Sequence, residues 1–528
     1  MSGFTAPALE YGHLAPLIFV FLAGTFGVGV EATVPRRFRP TAQLVLVAIG
    51  LIGALITTIG NWVGALAQPD TGFFIGVEGS LAFDGPTYFI WATLIVLGAL
   101  SILMFGERQL GGGATPFTPQ AASLPGTPAE REATALKLEH TEVYPLAMFS
   151  LTGMMIFPAA ADMLTLFVSL EIMSLPLYLL AGLARRRRLL SQEAALKYFM
   201  LGSFSSAFFV MGMALIYGYA GSFDLGIVAE AITQGAGSYS LVVGGIGLMA
   251  VGTLFKVGAV PFHNWTPDVY QGSPTVVTGF MASCVKIAAF GALLRLFFVA
   301  FGGARWDWQP FMAVIAVLTM FVGAIIGIVQ DDVKRMLAYS SIAHAGFILT
   351  ALVGAAQGEA IMGMTSVSSA LFYLAVYGLT TVGAFAIITM VRNEGGEVTR
   401  LSAWAGIGRR NPGIAGIFAL FLLSFAGIPL TSGFIGKLAV FGAAWQGGFG
   451  WLVVVAVLAS LVAAFFYLRV IVVMFFSDAG DEEDGVEVVM PSWRTTLTIA
   501  VALVTTVGLG VLPNLLLPAA SMAAEFLR

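Results

Sequence analysis

Residues 162–184 read DMLTLFVSLEIMSLPLYLLAGLA, with one carboxylate, Glu171, near the middle. The run is long enough to cross a bilayer core of roughly 30 Å. Three more apolar runs each hold a single lysine: Lys256 in LMAVGTLFKVGAVPF, Lys286 in VVTGFMASCVKIAAFGALL and Lys437 in IPLTSGFIGKLAVFGAAW. A charge at the centre of such a helix costs roughly 2.5–3.5 kcal/mol on insertion scales. Four of them, of both signs, point to a path for ions or protons.

The rest of the chain agrees with that setting. Of its 528 residues 58% are hydrophobic and only 10% are charged, which marks an integral membrane protein. The net charge of −4 gives no sign of nucleic-acid binding. The one cysteine, Cys284, allows no disulfide framework, thiolate metal site or iron–sulfur cluster. The start, MSGFTAPALEYGHLAP, lacks a basic n-region and a cleavage site, so the first apolar segment is expected to be a retained span.

Apolar length and breaker residues predict an all-α polytopic protein of about fourteen transmembrane helices. Their approximate limits are 13–34, 41–63, 86–106, 143–160, 162–184, 194–219, 240–260, 275–302, 309–329, 336–355, 362–391, 412–445, 451–476 and 495–517. Two polar intervals, 107–142 and 477–493, read as a surface loop with one short helix and an acidic linker. Basic clusters at Arg36, Arg37 and Arg39, at Arg185 to Arg188, at Lys334 and Arg335, and at Arg400, Arg409 and Arg410 all follow odd-numbered spans. Asp70, Glu78, Asp84, Asp224 and Glu230 lie in the opposite loops. The positive-inside rule then puts the odd loops in the cytoplasm and both termini outside.

Two spans are expected to be broken, the seventh at GAVPFHNWTPDV and the twelfth at FAGIPLTSGF. Proline removes a backbone donor, and such breaks survive at membrane depth only inside protein or beside water. Pro261 and Pro429 lie about 170 residues apart, as do Glu171 and His344. Five helices per half is an odd number, so the second half must enter from the other side, giving an inverted repeat. This divides the chain into 1–142, a first five-helix repeat at 143–302, a second at 309–476 and a terminal segment at 477–528.

An ammonium stripped of water holds its proton less firmly, and a neighbouring carboxylate restores the hold. A Glu171–Lys256 pair is therefore expected to act as a switch, with Lys286 and Lys437 extending the route through hydrogen-bonded water. His263 and His344 carry imidazoles suited to transfer near neutrality, and Ser169, Ser174, Ser283, Thr431 and Ser432 are candidate water anchors. Each has a plainer reading. Glu171 and Lys256 would serve as a structural ion pair, Lys437 would satisfy carbonyls freed at the Pro429 break, and Lys197 would snorkel at the start of the sixth span. His344 would be a satisfied packing residue. Arg295 and Arg469 are read as anchors near span ends, His13 and His140 as surface residues.

No haem-type histidine pairing is present in the sequence, and GGGA at 111–114 lacks a P-loop lysine. Energy for pumping must then come from an ion gradient or a partner.

The blocks LEIMSLPLYLLAGL, LKYFMLGS, FKVGAVPFHNWTPDVYQGSPTVVTGFMAS, VKRMLAYSSIAHAGF and FAGIPLTSGFIGK closely resemble the antiporter-like subunits of bacterial respiratory complex I, over roughly residues 80 to 475. The resemblance implies a fourteen-helix subunit with two inverted halves and a proton path mapping onto Glu171, Lys256, Lys286 and Lys437. Lys197 and His344 match further family positions. The lysine in the twelfth helix fits the smaller members rather than a sibling with glutamate there. NADH, FMN, iron–sulfur clusters and quinone are implied in partner subunits, with no cofactor in this chain. Other membrane-arm subunits and lipids are the implied partners, and a bacterial plasma membrane the implied location. The translocase reading competes with two others, a subunit of a multisubunit sodium/proton antiporter and a purely structural spanning subunit.

Overall fold

Several spans begin at an aspartate whose carboxylate accepts a backbone N–H three residues on, satisfying a donor that the first helical turn leaves unpaired. Asp84 takes Thr87 N at 3.1 Å, Asp162 takes Thr165 N at 2.8 Å and Asp332 takes Arg335 N at 2.9 Å. The computed structural model describes residues 9–68, 71–118, 127–129, 132, 139–235, 237–355, 361–478 and 485–527. Asp70, much of the loop at 107–142 with its expected short helix, and the acidic run at 479–484 lie outside the described residues.

Twelve helices among the described residues are long and apolar enough to cross a membrane. They are α1 (Tyr11–Thr33), α2 (Arg39–Leu66), α3 (Gly85–Phe105), α5 (Met163–Ala181), α6 (Arg188–Ala220), α7 (Tyr239–Val257), α8 (Thr275–Ala300), α9 (Arg305–Ile328), α10 (Val333–Gly354), α11 (Ser366–Ile388), α13 (Gly450–Phe476) and α14 (Trp493–Val511). The two remaining places in the expected order hold shorter apolar helices: α4 (Val143–Ala159) and α12, made of two pieces, Pro412–Ala426 and Ser432–Gln446. The sixth span starts earlier than expected, at Arg188, because the helix runs into the arginine cluster.

Both expected breaks are present. α7 stops at Val257, Gly258 turns at φ +77°, and a short helix resumes at Trp265–Gly272. In α12, Gly427 at φ +85° closes the first piece with N–H bonds to Leu423 O and Ser424 O, the left-handed cap that glycine favours. Freed backbone groups find partners, as hydrocarbon demands. Trp265 Nε1 donates to Phe255 O at 2.8 Å, and Val260 N donates to Thr319 Oγ1 at 3.0 Å.

The most enclosed helices are α8, α10 and α11, whose residues are buried almost throughout. A helix apolar all round belongs in a core. α8 packs on α3, α4, α7 and α11; α10 packs on α9, α11, α12, α13 and the Trp265–Gly272 piece. By contrast α1, α2, α6 and α13 turn rows of large apolar side chains outward. Small sheets occupy the loops of this helical protein. One is the hairpin β1 (Phe74–Gly76) with β2 (Leu81–Phe83). In the other, β3 (Val391–Asn393) pairs with both β4 (Gly396–Glu397) and β5 (Glu487–Val488).

Candidate functional site

Glu171 and Ser174 lie three residues apart on α5 and so share a face. Ser206 Oγ of α6 donates to Glu171 Oε1. Lys256 Nζ donates to Ser174 Oγ at 2.7 Å, and Ser174 Oγ in turn donates to Leu170 O. Glu171 and Lys256, expected to act together as a switch, are each held by a serine in this structure. Among the described residues no ion pair joins them. The reason is packing: Glu171 is only half-buried and faces α6, whereas Lys256 is 2% exposed. Its ammonium lies 5.6 Å from the ring centre of Tyr178 and 5.4 Å from that of Tyr198, within cation–π range.

Lys286 is buried in the middle of α8, immediately after a π-helical turn, Met281–Val285. Such turns concentrate at functional positions. Its Nζ donates to Ser341 O of α10 and lies 5.6 Å from the Tyr377 ring centre. No carboxylate pairs with it among the described residues.

Lys437 Nζ donates to Phe425 O at 2.9 Å, Ala426 O at 2.8 Å and Ser460 Oγ at 2.7 Å. The first two are carbonyls freed by the α12 break, so the plainer reading of this lysine describes its contacts well. His344, 1% exposed, is held between two phenols: Nδ1 lies 2.7 Å from Tyr373 Oη and Nε2 3.2 Å from Tyr467 Oη. Tyr467 Oη also bonds Ser340 Oγ. Of the expected water anchors, Ser169, Ser283 and Thr431 donate to carbonyls of their own chain neighbourhood, Leu166 O, Gly279 O and Ile428 O. Ser432 Oγ has no hydrogen-bond partner among the described residues.

The other candidates lie apart from this interior row. Lys197 pairs with Glu193 Oε1 at 2.6 Å and Asp268 Oδ2 at 2.8 Å, and Asp268 Oδ1 takes Arg335 Nη1 at 2.6 Å. Asp268 thus joins α6 to α10, a role that sequence reasoning missed although the residue stands in the WTPDVY block. His263 is half-buried at the α7 break, and its Nδ1 has no partner among the described residues. Two plainer expectations are corrected. Arg295 is no interfacial anchor: it and Asp84 are each 1% exposed and paired at 2.8 Å, because Asp84 begins α3 at the depth where α8 ends. Nor is His13 a surface residue, since it packs against Phe74 and bonds Tyr88 Oη at 2.9 Å. Arg469, near the C-terminal end of α13, meets Asp331 and Ile328 O.

Among the described residues no group of three or more His, Cys, Asp or Glu side chains stands in metal-binding geometry. Outside the membrane-spanning helices, burial would push the Glu107 carboxyl up. Hydrogen bonds from Ser492, Thr495 and Gln109 N outweigh burial and hold it below the usual carboxylate range.

Residues 160–463, which include every candidate named in the interior row, match the family described as "NADH:quinone oxidoreductase/Mrp antiporter, TM". The chain is 54% identical to NADH-quinone oxidoreductase subunit N of Nocardioides sp., over 99% of this chain and 100% of that one. Among solved structures it is similar to a chain of respiratory complex I from Thermus thermophilus, at 30% identity and a TM-score of 0.75, covering 97% of this chain and 100% of that one. It shares its fold with a chain of the Mrp complex from Dietzia sp., at 19% identity and a TM-score of 0.75, covering 98% and 97%. The likeness to Mrp is one of fold alone, whereas sequence and fold together carry the likeness to complex I. The chain therefore belongs to the subunit N family of NADH-quinone oxidoreductases, a multi-pass, antiporter-like branch of the wider oxidoreductase and Mrp family.

Proposed function

We propose that this chain moves protons across the membrane as part of a membrane-arm NADH:quinone oxidoreductase, by a relay through Glu171, Lys256, Lys286 and Lys437. Lys197, His263 and His344 are secondary positions, with Lys197 at the surface end. Electron transfer belongs to partner subunits, which hold NADH, FMN, iron–sulfur clusters and quinone, and a conformational or electrostatic change in them drives the proton steps here. Moving one charge against 100 mV takes about 2.3 kcal/mol, a demand that a few coupled proton-affinity changes meet.

One observation carries this reading. Lys256, Lys286 and Lys437 are each 5% exposed or less, and each is hydrogen-bonded to an uncharged oxygen. Buried hydroxyls without a partner among the described residues stand on the helices around them, at Tyr198, Ser369 and Ser432. Such groups bond ordered water, the medium a proton needs between fixed stations. The reading includes two inverted five-helix halves, 143–302 and 309–476, flanked by 1–142 and 477–528. It places the chain in the bacterial plasma membrane with both termini outside and other membrane-arm subunits beside it. A Lys286→Ala variant is expected to assemble and to lose most proton pumping. A normal proton-to-electron ratio in proteoliposomes of that variant would refute the path.

A further inference from the structure

At the face that carries the arginine clusters, a cavity of about 320 Å³ opens between the loop after α3, the loop before α6, the starts of α8 and α10, and the β3–β4 hairpin. Its volume lies in the range of small-ligand sites. Five basic side chains line it: Arg185, Arg186 and Arg187 on one wall, Lys334 and Arg392 on others. Three carboxylates also reach it, Glu107, Glu394 and Glu397. Two of those are already engaged. Glu107 accepts bonds from Ser492 N, Ser492 Oγ, Thr495 Oγ1 and Gln109 N. Glu397 accepts from Thr275 Oγ1 and lies 3.7 Å from Arg392 Nη1.

On the basic side Arg187 donates to Thr399 Oγ1 and Glu397 O, and Arg392 to Thr389 O, which leaves Arg186 as the uncommitted charge. Arg186 is exposed and makes no hydrogen bond or ion pair among the described residues. Ser273 is 2% exposed, lines the cavity, and its Oγ has no partner among the described residues. Its carbonyl takes Lys334 Nζ at 2.7 Å, which fixes that ammonium at the cavity wall. The first turn of α8 (Thr275 and Val276) also faces the cavity, and the N-terminal end of a long helix favours an anion.

From these features we infer that the cavity binds a phosphate-bearing anion. Guanidinium groups converging from separate chain segments match the oxygens of a phosphate, and a basic pocket among membrane helices is suited to anionic head groups. Ser273 Oγ supplies a buried donor and Arg186 an uncommitted charge. The source is either a phospholipid head group or free phosphate, which share this chemistry. The inference does not depend on the proton relay, since none of the relay groups lines the cavity.

The test uses the assembled complex in nanodiscs. Hydrogen–deuterium exchange of residues 184–188 and 391–399 is followed in phosphatidylcholine discs with and without phosphatidylglycerol. It is then followed in phosphatidylcholine discs with inorganic phosphate against chloride at equal ionic strength. Slower exchange with phosphatidylglycerol assigns a lipid; slower exchange with inorganic phosphate assigns the free ion. Arg186→Gln is expected to assemble and turn over normally and to need about tenfold more of whichever probe protects. Equal exchange under all conditions, or full protection retained in Arg186→Gln, would overturn the assignment.

Discussion

Ser174→Ala tests whether the Ser174 hydroxyl links Glu171 to Lys256 in the proposed relay. The hydroxyl accepts from Lys256 Nζ at 2.7 Å and sits one turn from Glu171, which is itself bound by Ser206. The substitution removes one oxygen from a buried place and leaves the carboxylate, the ammonium and the backbone untouched. A hydrogen bond to a charged group is worth about 1.5–3 kcal/mol. If a proton crosses from Glu171 to Lys256 through this hydroxyl, the step slows roughly tenfold to a hundredfold. The assay is NADH-driven proton uptake into proteoliposomes beside quinone reduction, so that turnover and proton-to-electron ratio are read from one sample. Ser174→Thr, which keeps the oxygen, is the control and is expected to retain most of the rate. Wild-type pumping in Ser174→Ala, with Glu171→Gln still impaired, would show that the two groups communicate without the hydroxyl.

Arg295→Met leaves Asp84 charged and unpaired in the interior, and breaking such a pair costs roughly 3–5 kcal/mol. The expected result is a clear loss of thermal stability in detergent, largely recovered in the Asp84→Asn/Arg295→Met double variant; equal melting of wild type and single variant would contradict it. Glu107 predicts a pH effect at the start of α14, because Ser492 and Thr495 both donate to it. Its carboxyl is depressed in the fold, so its stabilisation is complete above the unfolded value of about 4.3 and fades as pH falls through the lower folded value. The protection factor of residues 492–498, with the intrinsic pH dependence of amide exchange divided out, is expected to hold from about pH 8 to 5 and to fall below about pH 4. Glu107→Gln should remove that pH dependence, and an unchanged profile in the variant would sink the assignment.

The spans were legible because lipid enforces a long apolar run wherever a helix crosses, and their limits fall within a few residues of the expected ones at most ends. Pro261 and Pro429 announced the two breaks for an equally strict reason, the missing donor. Lone charges such as Lys286 stood out against their apolar runs. Partners drawn from distant helices did not. Nothing around Arg295 says that Asp84 meets it, so its place near the end of α8 suggests an anchor. Tyr467 lies 123 residues beyond His344, and only the packing of α13 on α10 brings the two together. Asp268 is visible but unweighted, since its partners Lys197 and Arg335 read as a snorkelling or relay lysine and an orientation marker.

The chemistry of the buried cations separates fixed charge from mobile charge. Arg295, a side chain that stays protonated, is set against a buried carboxylate, Asp84. Such a pair holds helices together and has no second state to visit. The interior lysines are arranged the other way. Lys256 faces a serine hydroxyl, Lys286 a carbonyl, and Lys437 two carbonyls and a serine. A carbonyl or hydroxyl oxygen accepts a bond from an ammonium and from a neutral amine alike, so the sites of Lys256 and Lys286 keep their geometry when the proton leaves, whereas Lys437, which uses all three N–H donors, gives one bond up. A carboxylate partner would favour only the charged form. Lys197, the lysine that does pair with carboxylates, is partly exposed, where water screens the pair and binding rather than release is rewarded. In the proposed relay, the lysines matched to neutral oxygens are the stations that change charge, and the arginine matched to aspartate is a fixed tie between helices.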